Sequence, residues 1–586
     1  MLLQSLVKLY EAWAEKGEIE KLGWNPVKIS YGISLDEEGN VDEIIHLKTN
    51  APKGNKEIPS LISLPMPVKR SVGVASNFLY DNATYVFGYD NSNKPDRAKQ
   101  CFDCFRNVGN KVLENTDDEF STIIKKFLQK DYSEFENLSD LLTELNCTET
   151  TVDDILNKGE NLLLMPLGKF PTDSKAICES WNSYYEHSDA PKGVCLVTGK
   201  DDHIAKLHPV IKNIRGAQAA GASLVSFNAT AFNSYGKENG YNAPVSEYAA
   251  FAYASALNKL VSDNDHRIFA GDTTVVCWTE DGESAYQDVF AGIFNSDDEV
   301  KQKDLHDTIV SIVNGNEVKW EGIPLNPSNN FYILGISPNS ARLSVRFFIQ
   351  NTFGKVMENL LKNQQRMEMV KPKYEKRVHI PLISILNETK KYNPETKKVI
   401  DKEFKPHLAS DIIKATINNT RYPDALYYSI LNRVSAEHEI NWVKASVIKA
   451  CLIQNYKGVV TVAFNENSNN KAYWLGALFS ELEQIQKEAH RGSEINTTIR
   501  DRYFSSASLM PSKIFPVLID LAQNHIKKIS NVGAKVNCQK RLTETMSKLG
   551  DKFPNRLTLD EKGMFQLGYY QRTQERFTSK EDKNNG

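Results

Sequence analysis

The sequence has no run of about eighteen apolar residues and no basic stretch leading into an unbroken apolar segment near Met1, so neither a membrane span nor a secretory leader is expected. A cytoplasmic protein is the expectation. Cysteine is sparse, with eight residues scattered from Cys101 to Cys538 among 586, which fits a reducing compartment better than a disulfide scaffold. Charge of one sign is also missing. With 71 basic residues against 74 acidic ones, no overall basicity announces a nucleic-acid partner, and any such surface must be local.

Short catalytic signatures are absent as well. The glycine spacing of residues 216–223 imitates a phosphate loop, but Ala222 stands where the phosphate-binding lysine belongs. Small residues there favour close packing, or close approach to a nucleic-acid backbone. No Gly-x-Ser-x-Gly elbow, His-Glu-x-x-His helix or compact carboxylate cluster occurs. Cys101 and Cys104 make only half of a zinc knuckle. Cys178, Cys195, His203 and His208 are the residues that could complete it through the fold, and two isolated thiols explain the pair as well. We expect no metal, no cofactor and no catalysis. The competing enzymatic reading is a nuclease whose carboxylates converge only in the fold around two metal ions about 4 Å apart.

What is present is globular composition, 41% hydrophobic and 25% charged, in a chain long enough for two to four domains. Residues 2–14 place Leu2, Leu3, Leu6, Leu9, Tyr10 and Trp13 at helical spacing. Residues 24–47 shorten to strands with a hairpin turn at 36–40, and 120–156 return to helical periodicity until Met165-Pro166-Leu167-Gly168 breaks it. A strand is expected at 194–198, a basic loop next, then a helix from the N-cap Ser246 to Leu260. Residues 273–278, 331–336 and 343–349 read as strands. Beyond Ala409 the pattern is helical, at 411–417, 425–433, 442–454, 471–490, 511–530 and 535–549, with a linker at 465–470 and a frayed tail at 571–586. Residues 371–405 carry ten cations against five carboxylates, a modest patch that a solvated connector also explains. The fold class is α+β: a mixed N-terminal body and a C-terminal helical bundle, divided as 1–190, 191–408 and 409–586.

Two polar-basic segments offer binding chemistry. In 67–82, Lys69 and Arg70 can neutralise phosphate, while Asn77 and Asn82 can pair with base edges; an ordinary loop whose asparagines satisfy turns accounts for the same residues. In 203–218 the cations Lys206, Lys212 and Arg215 recur between apolar anchors, with His208 and Gln218 beside them. Asn228, Asn233, Ser234, Tyr235 and Lys237 continue that character, and Tyr235 can stack on a base or pack internally. The strings 67–82 and 198–260, with GDTTVVCW at 271–278, SPNSARLSVRFF at 337–348, NTTIRDRYFSSAS at 496–508 and GMFQLGYYQ at 563–571, closely resemble the large-subunit family of the type I-C CRISPR surveillance complex, Cascade.

That resemblance, running from Leu2 to about Arg572, implies a non-catalytic protein in a crRNA ribonucleoprotein. It implies inspection of double-stranded target DNA for a protospacer-adjacent motif, guide pairing reading the remainder in an R-loop, a division of labour known from another effector class. The implied partners are crRNA, target duplex and displaced single strand, the Cascade backbone and crRNA-processing subunits, and a separate helicase-nuclease. Carried onto this chain, Lys69, Arg70, Asn77 and Asn82 read the motif. Lys206, His208, Lys212, Arg215, Gln218, Tyr235 and Lys237 hold backbone or guide. The resemblance further implies that 471–571 corresponds to the Cascade small subunit, also made separately from an internal start, with Arg500, Arg502 and Tyr503 on the displaced strand. No Met occurs between Val370 and Leu509, so such a start would use a non-AUG codon at Val459, Val460 or Val462. A scaffold touching only protein and guide RNA is the remaining alternative.

Overall fold

The computed structural model describes residues 1–577 apart from 52–56, 69–72, 91–93, 132–134, 136, 187–189, 397, 406 and 492–496. The chain forms two compact units, one of Tyr10–His208 and Phe227–Ser255, the other of Met1–Leu9, Pro209–Ser226 and Ala256–Gly586. The architecture is α+β with a helical C-terminal region. No helix among the described residues is long and apolar enough to cross a membrane.

In the first unit the expected hairpin is present, Tyr31–Leu35 pairing antiparallel with Val41–His46. Its turn has a local cause. The Asp36 carboxylate accepts the N–H groups of Glu38 at 2.9 Å and Asn40 at 2.7 Å, and Gly39 takes φ +73°. On its other side Tyr31–Leu35 pairs in parallel with Leu162–Pro166, giving the sheet order Val41–His46, Tyr31–Leu35, Leu162–Pro166, Tyr80–Asp81. A parallel pair needs a long crossover, and this one carries the helices Pro95–Leu113, Glu119–Leu128, Leu138–Glu144 and Glu149–Leu156. Phe102, Phe105 and Phe127 from those helices bury against Ile33 and Leu163 in one core.

Two expectations are corrected in this unit. Met165 and Pro166 end a strand and do not terminate a helix; the break follows at Leu167 and Gly168, both with positive φ. Leu162, Leu163 and Leu164 are all fully buried, and a strand buried on both faces shows no alternation by which to recognise it. The strand expected at 194–198 lies earlier, at Lys192–Val194, paired with Asp201–His203. Residues 195–200 are its closing turn, where Cys195 N–H donates to the Lys200 carbonyl and Gly199 N–H to that of Cys195.

The second unit contains an antiparallel sheet ordered Ile268–Ala270, Thr273–Thr279, Asn330–Asn339, Arg342–Thr352, which includes the three strands expected there. Between them, in a stretch to which the sequence reading assigned no element, lie the helices Ser284–Asn295 and Glu299–Val313, and Phe353–Met367 follows. The C-terminal helices are Leu408–Ile417, Asp424–Glu437, Trp442–Tyr456, Lys471–Ala489, Ile499–Leu509, Pro511–Lys528, Val532–Ser547 and Leu559–Glu575. Sheet and helices share one hydrophobic core, in which Ile333 and Phe353 belong with Ile413, Leu475 and Phe565.

The helices Lys471–Ala489 and Leu559–Glu575 cross at very short range. A Cβ on Gly476 would overlap the Phe565 carbonyl oxygen, and one on Gly568 the Tyr473 carbonyl oxygen. The expectation of a frayed tail from Gln571 is therefore corrected up to Glu575. Gln571 is fully buried, its Nε2 donating to the Thr461 carbonyl at 2.8 Å, and the Arg572 guanidinium reaches buried Glu481 at 2.5 Å. Polar composition misled there because these side chains are paired inside the fold. Residues 578–586 lie outside the described residues.

Candidate nucleic-acid interface

The 67–82 segment folds around Asn77. This side chain is buried, its Oδ1 accepting the Val68 N–H at 3.0 Å while its own N–H donates to Asp81 Oδ2 at 3.0 Å. The base of the loop is thereby fastened. Asn82 caps the short helix Ala83–Val86 by accepting the Thr84 N–H at 3.2 Å. Both amides are thus engaged locally. Lys69 and Arg70 lie outside the described residues.

The loop around Tyr235 is built to present a side chain. Ser234-Tyr235-Gly236-Lys237 forms a turn in which Lys237 N–H donates to the Ser234 carbonyl at 3.0 Å, with φ +53° at Tyr235 and +69° at Gly236. Positive φ at both central positions defines a primed turn, a conformation that favours glycine or asparagine. Tyrosine there is strained, and it is 99% exposed. Asn242 holds the loop, its Oδ1 accepting from Ser234 N–H and its Nδ2 donating to the carbonyls of Lys237 and Asn239. Gly240 N–H then donates to the Lys206 carbonyl at 2.9 Å, which brings exposed Lys206 into the same cluster as Lys237 and Tyr235.

His208 does not belong to that exposed set. Its Nδ1 lies 2.7 Å from the Tyr253 hydroxyl, and burial pushes the ring down to about 4, so it is neutral at physiological pH. A neutral imidazole is no counter-ion for phosphate.

In the second unit, residues 211–222 form a loop closed by a bridge between Ile211 and Ala222, and Ser223 bridges onto Arg342 at the sheet. The small residues of this segment serve packing: Gly221 takes φ +96° where a Cβ would crowd Val210, and a Cβ on Gly216 would meet the Pro338 ring at 3.3 Å. Asn258 receives the Lys212 N–H at 2.8 Å and donates to the Val210 carbonyl. Lys212, Arg215 and Gln218 are exposed on this frame. The Arg215 guanidinium stands 5.5 Å from the Phe269 ring, and Arg267 covers the same ring at 4.9 Å. Arg267 and Phe269 were not anticipated from sequence. The period-two alternation of Arg267, buried Ile268 and partly exposed Phe269 is the signal that would have found them once the strand was located.

None of the described carboxylates forms an ion pair with Lys206, Lys212, Arg215 or Lys237. The residues expected on the displaced strand divide differently. Arg500 turns inward, its Nε 3.8 Å from buried Glu483, and Asp501 is used in a capping box with Thr498. Tyr503 packs partly against the core, while Arg502 is exposed.

Cys101 and Cys104 share the helix Pro95–Leu113, and among the described residues no three His, Cys, Asp or Glu side chains are grouped to hold a metal ion. No curated protein matches the chain. Residues 6–577 match the family model described as CRISPR-associated protein (Cas_Csd1). With a match that spans nearly the whole sequence, this protein belongs to the CRISPR-associated Cas_Csd1 family.

Proposed function

We propose that the chain is the non-catalytic large subunit of a type I-C Cascade, reading the protospacer-adjacent motif in duplex DNA, supporting R-loop formation and recruiting the helicase-nuclease. The observation that carries its nucleic-acid role is the strained, fully presented Tyr235 flanked by Lys237 and Lys206, none of them spent on an internal ion pair. Unpaired ammonium groups suit phosphate, and a free aromatic face suits an unstacked base. Lys212 and Arg215, with Phe269 beneath the guanidinium, supply a second set of the same chemistry. Base reading belongs in this proposal to Lys69 and Arg70, which in sequence lie between Val68 and the Asn77 that accepts its N–H. Exposed Val194, Leu196 and Leu207 suit contacts with protein neighbours.

The test is binding of target duplex by the reconstituted crRNA complex, with and without a correct adjacent motif. Lys69→Ala/Arg70→Ala should remove discrimination while assembly persists, whereas Tyr235→Ala/Lys237→Ala should weaken both duplexes alike. Unchanged discrimination in the first variant and unchanged affinity in the second would leave the scaffold reading standing. For the separately made small subunit, a blot against a C-terminal tag should show a second, shorter product that disappears when the Val459, Val460 and Val462 codons are replaced by alanine codons. A single full-length band rules it out.

A further inference from the structure

The second unit encloses a cavity of about 420 Å³ lined by side chains of Ser284–Asn295, Glu299–Val313, Phe353–Met367, Leu382–Glu388 and Leu408–Ile417. Its walls are largely apolar, with Phe294, Leu360, Met367, Leu382 and Ile412 among them. Into this lining are set four buried polar atoms without a well-formed hydrogen bond: Gln364 Nε2, both ring nitrogens of His379, whose ring has only the Ile293 carbonyl nearby, and Trp442 Nε1. Native interiors leave few such atoms, and each needs a reason. Four around one cavity point to a common one.

These groups are held in place. His379 is 6% exposed, and the N–H groups of Val378 and His379 both donate to Oε1 of fully buried Gln302, at 2.8 and 3.3 Å. Burial pushes the His379 ring down to about 4, so at neutral pH it is an uncharged imidazole with one donor and one acceptor. His306 Nδ1 lies 2.9 Å from Gln364 Oε1, which engages the oxygen end of that amide and leaves its NH2 end unspent. Lys371 stands exposed at the rim, its ammonium 5.2 Å from the Trp442 ring and donating to the Arg377 carbonyl at 2.6 Å. No described carboxylate is within ion-pair distance of it, although Glu368 shares the rim.

We propose that this cavity binds a single nucleotide, with the base inside against Gln364, His379 and Trp442 and the phosphate on Lys371 at the rim. A volume of about 420 Å³ lies within the range of small-molecule sites. The lining selects the class. An aliphatic ligand would leave the polar atoms unmatched and a bare sugar would leave the walls unmatched, whereas a heterocyclic base carries donors and acceptors along the edge of a flat apolar body. The inference uses none of the residues assigned above to DNA contact and stands or falls independently of them. A free nucleotide and the terminal nucleotide of a strand share this chemistry.

The experiment is isothermal titration of the full-length protein with AMP, GMP, CMP and UMP and with the corresponding nucleosides. At least one monophosphate should bind at one site per chain and more tightly than its nucleoside. His379→Leu and Gln364→Leu should each weaken it by roughly tenfold or more, the effect of removing one buried hydrogen bond, and Lys371→Gln should reduce the monophosphate to the affinity of the nucleoside. Melting curves of the unliganded variants check folding; if a leucine variant fails to fold, Trp442→Phe, which removes the indole N–H and keeps a smaller aromatic ring in the wall, takes its place. Trinucleotides bearing a 5′- or 3′-terminal phosphate that compete with the mononucleotide assign the site to a strand end, and failure to compete assigns it to a free nucleotide. The absence of binding by all four monophosphates overturns the proposal, as does binding that these substitutions leave unchanged.

Discussion

Two side chains show how much a single residue decides here. His266 is clamped between carboxylates, Nδ1 2.6 Å from Asp263 and Nε2 2.7 Å from Asp288. The bond to Asp288 is the larger cause of a ring raised to about 9. Because the folded value lies above the unfolded value of about 6.5, the imidazolium stabilises the fold fully below pH 6.5 and the contribution fades as pH rises through 9. We expect urea unfolding of the wild type to lose on the order of 2 kcal/mol relative to His266→Gln between those limits; equal pH dependence in the two proteins would refute the clamp. Tyr235 shows the opposite case, a residue the fold does not need. Tyr235→Ala should leave the melting temperature unchanged, since the exposed ring packs against nothing and alanine keeps the same backbone strain. In the assembled complex it should weaken single-strand binding by about 1–3 kcal/mol if one base stacks there.

At the scale of elements, the crossing of Lys471–Ala489 and Leu559–Glu575 is the most demanding packing in the C-terminal region. Gly476→Ala or Gly568→Ala forces backbone apart on both helices and should cost about 3 kcal/mol or more in denaturant unfolding. Gly533→Ala is the control, because it lies exposed on Val532–Ser547 with only Asn531 Oδ1 near, at 3.4 Å; it should be neutral or stabilise by about 0.5–1 kcal/mol. The same helix pair is tied by charge. Glu481, 3% exposed at its side chain, meets Arg572 at 2.5 Å, Arg576 at 3.1 Å and Arg541 at 3.7 Å. Removing one member strands the others in a dry interior, so Glu481→Ala should destabilise by roughly 3–5 kcal/mol. A stop codon at position 571, harmless had the tail been frayed, should lower the yield of folded protein for the same reason.

For the whole molecule, near-neutral charge and local basic loops predict that affinity for DNA appears in the assembled complex and is steeply salt-dependent. Lys212→Ala/Arg215→Ala should reduce the slope of log affinity against log salt by about two, close to 0.9 for each phosphate no longer neutralised, without changing which adjacent motif is preferred. A slope that does not move places these cations away from the backbone.

What could be read from the residues alone follows the range of the interactions involved. The helix Leu2–Glu15, the Asp36-to-Asn40 turn, the Ser246 cap, whose Oγ accepts the Ala249 N–H at 3.2 Å, and most of the C-terminal helices are written in spacing and capping within a few positions. The family resemblance was legible because long strings match. The tertiary structure alone decided the parallel pairing of Tyr31–Leu35 with Leu162–Pro166, the burial of Gln571 and Arg572, the inward turn of His208 and Arg500, and the gathering of Gln364, His379 and Trp442 around one cavity. Each of these depends on partners far away in the chain, and a polar or apolar side chain carries no local mark of which distant group will meet it.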